Sequence, residues 1–497
     1  MRKHKLALAA TLAASTANAQ TFTEQFRFAE TQPAPGVLLG AAVDVAHGLA
    51  AIGSRGTPSS PGVAYVIDLA TQTARYQITP AGGQPFDRFG DDVALNAHYL
   101  AVGAPRADPS GLSTAGILYI YDAQNGNALN QIVANDAVAT LNLGITVALD
   151  GSTVFAGAAA GEPGGFRQGA VYAFNALTAT QIAKITGSDT SAGHAFGYGL
   201  DTDPDTRRLV IGAPGNGDGA VYVFDLDTLT ELRVIKPNDL QPNAQFGFKV
   251  GIDDGVIAVA TNEPELAYLY DAETGQRLHT LLPDSFDEDA QFGSNIAIAD
   301  GVAAVAAPSE FSGLINPDIF FPGYVEIFDV ETGNRIARLE ASGPPDDGRM
   351  GLFNGLAVGS GFVVAGTPQE FDSADGIVDT FNAGAAYFFA GPPGVAANPD
   401  DLVVNAGDTA TLSITSAGLN PAVQWRREGA PLSDSPNITG TNSDTLQIIN
   451  ASPADAGLYD AVVSNQFESV TSAEAILSVR DTCTNDTDGD NIIGLND

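Results

Sequence analysis

Residues His194–Asp225 read HAFGYGLDTDPDTRRLVIGAPGNGDGAVYVFD, the clearest of seven copies of one pattern. Three landmarks recur in order: an apolar residue followed by Gly, a Gly-Ala-Pro-like corner, and a β-branched and aromatic run ending in Asp. The first landmark falls at Leu39-Gly40, Phe89-Gly90, Leu143-Gly144, Phe196-Gly197, Phe246-Gly247, Phe292-Gly293 and Met350-Gly351. In the second copy, Val93-Ala94-Leu95, a tight turn and Leu100-Ala101-Val102 read as a hairpin of two buried strands. Gly103 permits a tight corner and Pro105 ends ladder pairing. Gly116–Tyr121 reads as a third strand, and Asp122–Gly126 as the turn into a fourth. Four antiparallel strands repeated about every 50 residues predict an all-β chain whose main part, 20–390, is a seven-bladed β-propeller.

Working outward, Thr21–Glu30 (TFTEQFRFAE) is a strand without a partner. Copies one to six follow their third strand with a fourth, whereas Tyr387-Phe388-Phe389-Ala390 runs straight into Gly391-Pro392-Pro393-Gly394. The N-terminal strand is therefore expected to complete the last blade and remove two exposed edges.

These residues resemble the FG-GAP repeats of the integrin α-subunit propeller, over roughly 21–390. Copy five departs at its corner, Val259-Ala260-Thr261, and copy seven opens with Met350. The resemblance implies a calcium loop in the first hairpin of a repeat. Only copy four approaches it, with Asp201, Asp203 and Asp205; Thr206 stands where the loop has Gly, and Leu209 at its last ligand position. The other reading of these residues is a polar hairpin turn, which the ligand count favours.

Residues 391–394 read as a linker, and 395–480 as a second domain. Gly407, Leu412, Trp425 and Asp455-Ala456-Gly457-Leu458-Tyr459 resemble an immunoglobulin-like β-sandwich, with Trp425 in the core and Tyr459 as the corner tyrosine. The resemblance places Ile414 and Ala461 where that family has its bridging cysteines. The tail, 481–497, carries Asp486, Asp488, Asp490 and Asp497 at positions 1, 3, 5 and 12 of a calcium loop. It resembles the first half of a dockerin, which implies calcium and a cohesin-like partner; Asn491 replaces the turn Gly, and a disordered acidic tail is the other reading.

Met1–Ala19 reads as a signal peptide: Arg2, Lys3 and Lys5, an apolar Leu6–Ala14, then Ala17-Asn18-Ala19. The apolar run is too short to span a bilayer and no later stretch is long enough, so an extracellular or cell-surface location is expected. Against 22 basic residues stand 59 acidic ones, a formal charge of −37, which disfavours nucleic acid and anionic membranes as partners. A single cysteine, Cys483, leaves no intramolecular disulfide.

No catalytic constellation emerges: His47, His98, His194 and His279 lie in different copies without metal-ligand spacing, and no G-x-S-x-G occurs. Most aspartates, such as Asp122, Asp225, Asp271 and Asp329, read as turn formers. The expected function is non-enzymatic binding or adhesion through the propeller face, with an extracellular protein or glycan as ligand. The alternative is a polysaccharide hydrolase or lyase with a carboxylate-lined site. Two long loops, Pro308–Gly323 and Pro368–Gly384, belong to adjacent copies. Phe311, Phe320 and Phe321 in one, with Phe371, Asp372 and Asp375 in the other, are the candidate ligand-binding residues; the other reading has the aromatics folding back over the mouth of the ring. Asn437-Ile438-Thr439 matches a glycosylation sequon.

Overall fold

The computed structural model describes residues 22–30, 38–57, 59–159, 168–262, 266–284, 291–308, 323–342, 349–368, 384–391, 393–417, 421–465 and 469–480. The fold is all-β. Seven four-stranded antiparallel sheets account for 23–390 among the described residues. The fourth sheet shows how the sequence builds them: Gly199–Asp203, Arg208–Ala213, Ala220–Asp225 and Glu231–Ile235 pair in that order. Its two middle strands are buried on both faces, which is why they read as unbroken apolar runs, while the outer strand alternates. Asp225 Oδ1 accepts the Thr228 N–H at 2.8 Å and so sets the turn into the outer strand. Asp271 and Asp329 do the same with Thr274 and Thr332.

No sheet has a core of its own. Each of seven apolar clusters lies between neighbouring sheets, from the first and second (Val66 with Val102) round to the seventh and first (Phe388 with Ile52). The innermost strand of every sheet touches that of the next, and Leu39–Ala46 of the first touches Leu356–Gly359 of the seventh. This arrangement fits the blades of a propeller.

The repeated glycines are explained by those interfaces. A Cβ on Gly212 would collide with the Gly247 carbonyl of the next sheet, and Gly247 itself sits at φ +86. The two landmarks are thus opposite halves of one backbone contact. Gly366 makes it with Gly40, so the seventh sheet meets the first as the other sheets meet each other. Where copies five and six carry Ala at the corner, that residue still accepts the N–H of its own copy's recurring Gly, as Gly212 does from Gly197: Gly247 N–H to Ala260 O at 3.2 Å, Gly293 N–H to Ala306 O at 3.0 Å.

The N-terminal strand, Thr23–Phe28, pairs with Ala386–Ala390 and completes the seventh sheet. In the other six sheets the outer strand carries a bulge that skips one residue, such as Leu232 between Glu231 and Arg233. The N-terminal strand skips Gln25 in the same register. Glu231 clamps the Ser188 hydroxyl and N–H of the preceding sheet at 2.6 and 2.8 Å, and Glu24 clamps those of Ser342 at 2.8 and 2.9 Å. The bulged residues Leu129, Ile182, Leu232 and Leu278 are exposed, because a bulge turns its extra side chain off the ladder.

Residues 394–480 form a β-sandwich around one cluster that includes Trp425, Leu446, Tyr459 and Leu477. Its first strand, Gly394–Ala397, begins inside the expected linker. Trp425 Nε1 donates to Ser443 O at 2.8 Å, and the Tyr459 hydroxyl donates to Asp455 O at 2.7 Å, closing the tyrosine corner. Ile414 and Ala461 are both buried in this core, a large and a small apolar residue filling the expected bridge position.

Candidate functional site

The inner strands of all seven sheets line one central cavity of about 310 Å³. Counted from the recurring Gly, the second residue of each copy forms a ring at the end that carries the inter-sheet loops. Four copies are polar there, with Asp92, Thr146, Lys249 and Asn295; Asn354, third after its Gly, joins them. Two residues deeper the ring is Asp44, Ala94, Ala148, Asp201, Gly251, Ala297 and Ala357.

An inner strand has one edge unpaired within its own sheet, and the carboxylates serve that edge in the next sheet. Asp44 accepts the Leu95 N–H at 2.6 Å, Asp92 the Val147 N–H at 2.7 Å and Asp201 the Ile252 N–H at 2.8 Å. The second oxygens of Asp44 and Asp201 take the N–H of Val45 and Thr202, each at 2.8 Å. Burial pushes the Asp44 carboxyl up to about 6 and those of Asp92 and Asp201 up to about 7, against the pull of these N–H groups.

A polar chord crosses the cavity at its loop-bearing end. Lys249 Nζ of the fifth sheet donates to Asn354 Oδ1 at the start of the seventh, and Asn354 Nδ2 donates to Asp91 O of the second at 3.0 Å. Burial pushes the Lys249 ammonium down to about 8, although the Asp92 carboxylate favours its charge. Above the chord, Arg55 forms an ion pair with Asp91 at 2.5 Å and lays its guanidinium 3.8 Å from the centre of the Phe353 ring. Across the rim, the rings of Tyr198 and Phe248 lie 4.9 Å apart. The result is a basin with a hydrogen-bonded floor and a rim of half-buried aromatic rings beside a guanidinium.

The three aspartates of copy four do not converge. Asp201 points into the central cavity, as above. Asp203 is buried and fully engaged: one oxygen takes the N–H groups of Asp205 and Thr206, and the other takes the Thr206 hydroxyl and the Gly255 N–H. Asp205 is exposed on the hairpin, so the polar-turn reading describes this segment. Among the described residues no group of three or more His, Cys, Asp or Glu side chains is placed to hold a metal ion. Phe311, Phe320, Phe321, Phe371, Asp372 and Asp375 lie outside the described residues, as do Asp486, Asp488, Asp490 and Asp497. No helix among the described residues is long and apolar enough to cross a membrane.

The residues that make the basin were missed in the sequence. Their signal was register: Asp92 and Lys249 stand two residues after the recurring Gly, and Asp44 and Asp201 four after it, where most copies carry small or uncharged residues.

The FG-GAP repeat model matches residues 72–121 and 179–224, and the immunoglobulin I-set domain model matches 393–479. Each FG-GAP match begins at an outer strand and ends with the third strand of the following sheet, so Thr23–Phe28 stands as the leading strand of the first repeat. FG-GAP repeats and I-set domains are typical of extracellular proteins and suggest a binding or adhesion-type role. No curated protein matches. Among solved structures, a chimeric titin Z1Z2 carrying a decorin peptide is 29% identical over 18% of this chain and 96% of its own, with a TM-score of 0.17. The first domain of Duf (Kirre) is 20% identical over 18% of this chain and 98% of its own, with a TM-score of 0.17. A chain of a nidogen/laminin complex is 10% identical over 59% of this chain and 94% of its own, with a TM-score of 0.36.

Proposed function

We propose that the protein is a secreted, non-enzymatic recognition protein. Its seven sheets act as a closed propeller that engages an extracellular protein or glycan on the loop-bearing face, and the sandwich acts as a spacer. The observation that carries this reading is the commitment of the carboxylates that line the central cavity. Asp44, Asp92 and Asp201 are raised as catalytic acids often are, which is the one feature favouring a polysaccharide-cleaving enzyme. Each, however, holds a main-chain N–H of the neighbouring sheet in a narrow cavity roofed by the Lys249–Asn354 chord, away from any bulky substrate. What the face offers is the rim of Tyr198, Phe248, Phe353 and Arg55, the residue types that dominate recognition surfaces.

The aromatics of the two long loops, Phe311, Phe320, Phe321 and Phe371, extend this surface in our reading. The tail contributes a calcium loop at Asp486, Asp488, Asp490 and Asp497 for a cohesin-like partner. Calcium titration of the full chain against its Asp490→Ala variant checks the tail; heat of the same size from both would remove it. Glycan and extracellular-protein arrays, run with wild type and with Tyr198→Ser plus Phe248→Ser, test the face. Retained binding by a folded double variant would move recognition off the rim, and turnover of a polysaccharide would replace the reading with the enzymatic one.

A further inference from the structure

The inter-sheet loop is repeated, so the chain supplies its own reference for what that loop requires. Four residues before the recurring Gly, the described copies two to five carry Phe86, Thr140, Gly193 and Asn243, all at positive φ: +72, +63, +89 and +64. A left-handed backbone suits Gly and Asn and penalises both β-branched Thr140 and the bulky ring of Phe86. Phe86 is nonetheless the residue here, and it is 55% exposed, so burial gives no compensation for it. The next position departs too. Leu141 and Ala244 are buried there and His194 is half-buried, whereas the second copy buries a carboxylate, Asp87, at 7% exposure. A strained, outward-facing aromatic beside a buried carboxylate is a local rule broken twice at one place.

The two departures share a cavity of about 540 Å³ on the loop-bearing face of the second sheet, away from the basin. Gln84, Phe86, Asp87, Arg106, Asp108 and Gln131 contribute its polar and aromatic wall. Its frame is tied by the main chain. Asp87 Oδ2 accepts the Gln84 N–H at 2.7 Å, the Arg106 N–H donates to Asp87 O at 3.1 Å, and Asp108 Oδ1 accepts the Thr114 N–H at 2.5 Å. Burial pushes the Asp87 carboxyl up, and the Asp108 charge adds to this.

We propose that this cavity is a binding site for a neutral saccharide unit, stacked on Phe86 and hydrogen-bonded by the side chains behind it. The volume falls in the range of small-molecule sites. A sugar hydroxyl both donates and accepts, and the wall offers carboxylate oxygens as acceptors and, as donors, the second N–H of the Gln84 and Gln131 amides, whose first bonds Gly82 O and Ala81 O. Arg106 in the wall disfavours a cationic side chain, and Asp87 with Asp108 disfavour an anion, which leaves a polyol with an apolar face for the ring. The inference rests on the recognition reading above and narrows its ligand at a second place on the same face.

The test is isothermal titration of the full chain with cellobiose, maltose, lactose and N,N′-diacetylchitobiose, repeated on Phe86→Asn. That variant copies the residue of copy five, so the loop keeps its conformation. Binding of one disaccharide by wild type, weakened about tenfold by Phe86→Asn with an unchanged or higher melting temperature, is the expected result. Equal binding by the variant would overturn the pocket while leaving the wider face in place. So would failure of all four sugars to bind, or binding of a lysine-rich peptide that Phe86→Asn abolishes. The Tyr198→Ser plus Phe248→Ser variant, on other sheets, should retain the disaccharide, which separates failure of the pocket from failure of the rim.

Discussion

The ring and the sandwich bury their apolar residues in opposite ways. In the sandwich, both sheets face one cluster around Trp425, and the domain closes on itself. In the ring, every cluster is shared between two sheets, and none is complete until a neighbour arrives. The sandwich is therefore autonomous, whereas the ring is as strong as its weakest joint. Polar groups follow the same division. In the sandwich, carboxylates bond within the domain: exposed Asp434 takes the Thr441 hydroxyl and N–H, and buried Asp460 pairs with Arg426. The ring places carboxylates at the joints, where they hold the neighbouring main chain at the expense of their own hydration.

The strongest way to break this contrast is to remove the joint that spans the termini. Deleting residues 20–30 removes the stack of Phe26 on Phe388 at 4.0 Å, the contact of Phe28 with Tyr65 at 5.2 Å, the outer ladder and the Glu24 clamp. We expect a loss of more than about 5 kcal/mol from the ring, with aggregation through the bared edge. A scanning-calorimetry trace should show the ring transition displaced and the sandwich transition in place. An unmoved ring transition would refute the collective view. Trp425→Ala is the converse. It should cost about 3–5 kcal/mol, confined to the sandwich. Simultaneous loss of both transitions would show that the two regions are coupled.

The smallest effect is also the most discriminating, because the ring carries carboxylates raised toward neutral pH beside lowered ones such as Asp203, whereas Asp434 of the sandwich is lowered. The folded pKa values of Asp44, Asp92 and Asp201 lie above the ordinary carboxylate range. The ring's contribution from them is complete below about pH 4 and is lost as the pH rises through 6 and 7. Lys249 is depressed to about 8, so its penalty is full at neutral pH and is relieved above pH 8. Asp434 in the sandwich is held below its usual range by the Thr441 hydroxyl and N–H, so its contribution is present at neutral pH and lost on acidification. Melts from pH 5 to 8 should lower the ring transition. Asp201→Asn should flatten that slope by on the order of 1–2 kcal/mol, and a parallel slope in the variant would place its origin elsewhere.

Much of the fold was legible because its signals are local and repeated. The turn aspartates, the paired glycines and the tyrosine corner each carry a backbone requirement that only certain residues meet. The closing strand was legible by bookkeeping: six outer strands for seven sheets left Thr23–Phe28 to fill the gap. The basin was not legible, because Lys249, Asn354 and Asp91 come from three different sheets and only ring closure brings them together. Asp201 was read through the spacing of its own hairpin, whereas its partner is Ile252, a full copy later. Phe86 was passed over as one phenylalanine among 25, since only the backbone φ at that position shows how ill-suited the ring is there.

The outer strand of the seventh sheet also sets an order of events. Arg27 and Tyr387, which it brings into a 3.1 Å hydrogen bond, are 360 residues apart in the chain. During synthesis Thr23–Phe28 emerges before the rest of the ring, and its ladder partner is among the last parts of the ring to appear. The earliest residues must wait unpaired while six sheets assemble, and their capture completes a very long loop. Final locking of the ring is thus timed by the arrival of Ala386–Ala390 rather than by the start of the chain.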